Sequence, residues 1–137
     1  MNHWLVKSEP GTYSWDNLVA DKRTDWTGVR NFQASNNMKA MKKGDRVFFY
    51  HSGGEPAVVG VAEVVKEYYP DPTDKAGRFG MVDLAAVGPF KRPVSLAEIK
   101  AEKKLADFKL VRQGRLSVVP VSAAEWKLIG AMGQTKV

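Results

Sequence analysis

Cysteine is absent from this 137-residue chain, and histidine occurs only at His3 and His51. The first absence excludes disulfides, thiolate nucleophiles and every cysteine-based zinc site. The second leaves too few imidazoles for a histidine-rich metal site. No apolar run approaches the roughly 20 residues needed to cross a bilayer. Met1-Asn2-His3-Trp4 carries no basic segment leading into an apolar one, so no secretory signal is read there. Internal repeats, low-complexity tracts and linkers are also missing. The expectation is a chain with no metal, no cofactor and no membrane partner, cytoplasmic in a bacterium and nuclear in a eukaryote.

What remains is the composition of a folded domain. Hydrophobic residues make up 44% and charged residues 26%. The length suits one domain over residues 1–137 with one proper core, and a monomer is expected. Lys and Arg number 21 against 15 Asp and Glu, a net +6 that favours a polyanionic partner over an acidic one.

Strands crowd the middle of the chain and helices flank them. Trp4 to Lys7 reads as a strand stopped by Pro10, and Ser14 as the N-cap of a short helix. Asp25 to Val29 reads as a loop punctuated by Gly28. Asn31 to Met41 has helical spacing, with Phe32, Ala34, Met38 and Met41 on one face, Lys42 and Lys43 in the last turn and Gly44 closing it. Asp45 to His51 is a buried strand. Ala57 to Tyr69 is another, with Gly60 at a bulge or close approach, and Phe79 to Val87 a third. Ser95 with Glu98 opens a helix over 96–105. Leu116 to Val121 is the last strand, and Ser122 with Glu125 opens the last helix. No regular βαβ alternation appears, so a mostly antiparallel sheet or small barrel with flanking helices is predicted.

Three segments mix aromatic, amide and basic residues where plain core filling would not: Trp4 to Pro10, Trp26 to Ala34 and Phe48 to Ser52. Together they hold the inventory for an unstacked nucleobase: a flat ring, edge hydrogen-bonders and cations for phosphate. Each has a plainer reading. Trp26 packs on the core, Asn31 caps a helix and Arg30 is solvated. Lys7-Ser8-Glu9 is a wet turn, and His51 is a structural imidazole. Ser52 and His51 could be called nucleophile and base, but adjacent strand residues point to opposite faces. Arg112 and Arg115 around Gly114 suit phosphate contacts or a solvated loop. Pro70-Asp71 with Glu98-Ile99-Lys100 matches a loose metal-nuclease pattern. That pattern wants its Glu-x-Lys on a core strand, whereas here it comes after a helix cap, so it reads as coincidence.

In this order, Trp4 to Pro10, Trp26 to Ala34, Gly44 to Ser52, Val59 to Val64 with Tyr69 to Pro72, and Leu116 to Val118 together resemble the EVE domain family of the PUA-like superfamily. One departure is visible: Gly80-Met81 stands where relatives often carry a tryptophan before the Val-Asp pair. The resemblance implies an α+β fold, a PUA-like twisted, mostly antiparallel β-barrel with flanking helices. It implies a non-enzymatic module that receives a modified base flipped from DNA or RNA, a modified cytosine in DNA foremost. Trp26 and Tyr50 would stack. Ser8, Glu9, Asn31 and Gln33 would read the edge, and Val29, His51 and Ser52 would line the wall. Lys7, Arg30, Arg112 and Arg115 would take phosphates. The competing expectation is an enzyme acting on a nucleotide or small aromatic ligand in that pocket, with Glu9 or His51 as general base.

Overall fold

A computed structural model describes all residues, Met1–Val137. Its centre is the strongest apolar run, Val47 to Tyr50, in β3 (Arg46–His51), where all four side chains are buried. A strand apolar on both faces needs covering on both. β3 pairs antiparallel with β4 (Ala57–Pro70) and parallel with β1 (His3–Ser8). β1 pairs antiparallel with β6 (Val118–Val121). β4 pairs antiparallel with β5 (Gly80–Ser95), whose far side takes the short β2 (Arg23–Asp25).

The strand order is β2-β5-β4-β3-β1-β6. The α+β class and the mostly antiparallel sheet are as the sequence suggests, with one parallel pair added. The expected barrel does not close: β2 and β6 remain the edges of the sheet and do not pair with each other. The sheet nevertheless curls, because residues of β2, of β1 and of the segment entering β6 line one common cleft.

Ser14, Ser95 and Ser122 each form a capping box, at α1 (Trp15–Asp21), α3 (Leu96–Ala101) and α5 (Ala123–Met132). Asn31 caps α2 (Phe32–Ala40) by accepting from the Ala34 N–H at 2.9 Å. Gly60 is a close approach as well as a register break. A Cβ there would lie 2.7 Å from the Trp15 ring, and the β4 pairings shift on either side of it.

Several boundaries differ from the sequence reading. α2 stops at Ala40, so Lys42 and Lys43 lie beyond it, and Gly44 (φ 95°) turns the chain into β3. Phe32 leaves the apolar face and stands exposed. β5 runs on through Pro89, which lies opposite Gly60 where the register shifts. The helix after Ser95 ends at Ala101, and the chain makes a further helical turn at α4 (Lys109–Arg112).

Candidate functional site

The gap between the curled sheet's two edges is an open cleft of about 520 Å³, within the usual size of ligand sites. One side is formed by Lys7 and Ser8 at the end of β1 and by Glu9 just beyond it. Facing it are Thr24 and Asp25 of β2 and the loop Trp26 to Asn31, with Ser117 from the approach to β6.

Trp26 is half-buried. Its ring meets Phe49 edge-on at 5.7 Å and Tyr13 edge-on at 6.4 Å. Its backbone N–H donates to the Val82 carbonyl at 2.8 Å. The indole is therefore fixed from behind and still borders the cleft. Val29 is the one aliphatic side chain among the lining residues.

The loop after Trp26 is held by a residue that sequence reasoning met only in the discounted metal pattern and in the Tyr69 to Pro72 segment of the resemblance, and did not place at the site. Asp71, fully buried at its side chain, accepts from the Gly28 N–H at 2.9 Å and from Arg30 at 3.1 Å. It also takes the Thr73 N–H at 2.8 Å and its hydroxyl at 2.6 Å. Burial alone would raise its pKa, but these bonds, Thr73 and Gly28 foremost, outweigh it and hold the group at about 2. Gly28 supplies the positive φ of 84° that this path requires. Asp71-Pro72-Thr73, an Asp with a hydroxyl two residues on, was the available signal.

The β1 side is equally constrained. Lys7 donates to the Gly114 carbonyl at 2.7 Å, and burial holds its pKa below the usual value. The Ser8 hydroxyl donates to the Tyr13 carbonyl, leaving its oxygen as an acceptor. The Glu9 carboxylate lies against Gly53, where a Cβ would collide with it.

Of the predicted residues, the cleft brings together Lys7, Ser8, Glu9, Trp26, Val29, Arg30 and Asn31. Gln33 and Arg115 share with Asn31 an adjoining hollow of about 270 Å³. Tyr50, His51 and Ser52 do not line the cleft. Tyr50 is buried behind Lys7, whose ammonium lies 5.9 Å from its ring centre. His51 Nε2 accepts the Trp15 N–H at 3.0 Å, which is the plainer reading of that histidine. Arg112 turns instead to Asp107 at 2.9 Å. Arg30 is engaged by Asp71 and by the Thr73 hydroxyl at 2.9 Å. Asp25, Thr27 and Ser117 are lining residues the sequence reading did not single out. Glu98 closes the α3 capping box and pairs with Arg92, as befits a helix cap rather than a metal ligand. Tyr68 fills the space beside Gly80, where a Cβ would meet its ring at 2.5 Å.

The EVE domain model matches residues 2–132. Thymocyte nuclear protein 1 of Gallus gallus is 35% identical over 98% of this chain and 69% of its own length. The NMR structure of Rpa0253 from Rhodopseudomonas palustris has a TM-score of 0.93 at 52% identity, covering 98% of this chain and 94% of that one. The crystal structure of human THYN1 protein in complex with DNA containing 5-methylcytosine has a TM-score of 0.93 at 33% identity, covering 100% of both chains.

Proposed function

The chain belongs to the EVE domain family, and on that footing we propose that it is a non-enzymatic reader of a modified base, taken from DNA into the cleft beside Trp26. The observation that carries this reading is the cleft itself: one fixed indole, one aliphatic side chain and several edge hydrogen-bonders facing a common space. The complex of human THYN1 protein with 5-methylcytosine DNA supports a methylated cytosine as the ligand.

The chemistry fits that ligand. The net positive charge draws in the strand, with Lys7 and the Asp71-bound Arg30 at the cleft and Arg115 at its adjoining hollow. The extruded base stacks on Trp26. Its amino group needs a carboxylate acceptor, which Glu9 and Asp25 supply, and its carbonyl needs a donor, which the Asn31 amide supplies. The 5-methyl group meets Val29. A wrong base leaves polar groups of the cleft unpaired, which is where selectivity arises. Arg112, committed to Asp107, is left out of this reading.

The test is a tryptophan-fluorescence titration with matched oligonucleotides, with and without one 5-methylcytosine, at two salt concentrations. Tighter, quenching binding to the methylated strand, by about tenfold or more, is the expected result. Equal affinities that vanish together at high salt would contradict it.

A further inference from the structure

Phe32 is the exception among six phenylalanines: the other five are buried, while Phe32 is 62% exposed. Large aromatic surface left in water forgoes the stabilisation that burial brings. This ring is braced. It packs at 4.8 Å, tilted 34°, on the buried Phe79. The Arg30 guanidinium lies 5.8 Å from the Phe79 ring centre, and Arg30 is itself tied to Asp71 and Thr73. One face of Phe32 is thus supported and the rest left open.

Its place in the chain gives the exposure meaning. Arg30 and Asn31, just before it, line the cleft, and Gln33, just after it, lines the adjoining hollow with Arg115. Phe32 thus stands in the chain between the residues of the cleft and those of the hollow, on the side toward which Arg115 would draw the phosphates next to a base held in the cleft.

We infer that Phe32 is a second stacking surface, which takes the base flanking the extruded one and fills the gap left in the stack. Side chains that hold kinked or opened DNA do so with such apolar wedges, and stacking on a ring accepts any base. The inference rests on the base-reader reading of the cleft. It adds that affinity and selectivity are separable: Trp26 and its neighbours choose the base, while Phe32 adds affinity without choosing.

The experiment measures binding of wild type, Phe32→Ala and Phe32→Tyr to a methylated oligonucleotide. Two further oligonucleotides carry an abasic site immediately 5′ or immediately 3′ of the methylated base. Phe32→Ala is expected to weaken binding about five- to a hundredfold. It keeps the methylated-to-unmethylated ratio, and Phe32→Tyr restores affinity. The loss should disappear with one of the two abasic strands and persist with the other. A Phe32→Ala protein that binds like wild type, or loses the same factor on every strand, overturns the second stacking surface and leaves the reader intact. Wild-type binding that ignores methylation overturns both.

Discussion

On the proposed reading Trp26 stacks the base and Val29 meets its methyl group, while Asp71 anchors the loop that carries both. Trp26→Ala removes the ring while Phe49 and Tyr13 remain, so the fold should survive. Oligonucleotide affinity should fall by the roughly 1–3 kcal/mol of one stacking contact. Unchanged affinity in titration would remove Trp26 from the site. Val29→Ala should narrow the difference between methylated and unmethylated strands more than it weakens binding to the unmethylated one. A preserved ratio would show that the methyl group lies elsewhere. Asp71 has a depressed pKa, so its contribution to stability is whole above about pH 4. It is lost as pH falls from 3.8 through about 2. Asp71→Asn should cost about 1–3 kcal/mol through the donors it leaves poorly met, and chemical denaturation should show its deficit shrinking over that acid range. A deficit independent of pH would mean the carboxylate charge is not what holds the loop. These residues differed in how legible they were. Trp26, Arg30 and Asn31 stood out because aromatic, cation and amide fall close together in the chain. Asp71 did not, because its partners Gly28 and Arg30 lie more than forty positions away.

At the scale of elements, local chemistry was readable and pairing was not. The Ser14 cap, the two Ser–Glu capping boxes and the buried β3 came from residue type and spacing alone, whereas the box that Asn17 completes with Ser14 was not read. β2 escaped because three residues, Arg23 to Asp25, carry no alternation; they become a strand only because β5 offers an edge. β5 outran its predicted end because its second half is held by the first half of β4, with Val94 opposite Val58 and Ser95 opposite Ala57. Tyr50 was assigned to the site for its neighbours in sequence, but as the partner of Lys7 across the β1–β3 pair it is buried beneath the ammonium. Gly60 is where an element-level device can be tested. Gly60→Ala places a methyl group 2.7 Å from the Trp15 ring that α1 rests on the sheet. It should destabilise the fold by about 1–3 kcal/mol, read as a lower Tm. A Tm equal to that of wild type would show that α1 can move aside.

At the scale of the whole molecule, the sheet leaves its two edges apart, and the cleft occupies that gap. The barrel predicted from the family resemblance thus differs from the structure at the place where the cleft opens. Nothing in local sequence reports closure, which depends on whether β2 and β6 meet. The positive charge works at this scale too. Arg115→Ala should weaken binding to methylated and unmethylated strands alike and lower the salt slope by about one; a change in selectivity instead would place Arg115 at the base. The central claim is that the base enters between those edges. The most direct measurement is the backbone amide NMR spectrum on adding a short oligonucleotide with one 5-methylcytosine. The account predicts the largest shifts at Lys7 to Glu9, Trp26 to Asn31 and Ser117, together with the Trp26 indole N–H. Shifts confined to the lysine-rich surface of residues 100–109, or to the hollow beside His3 and Trp126, with the cleft amides unmoved, would contradict it.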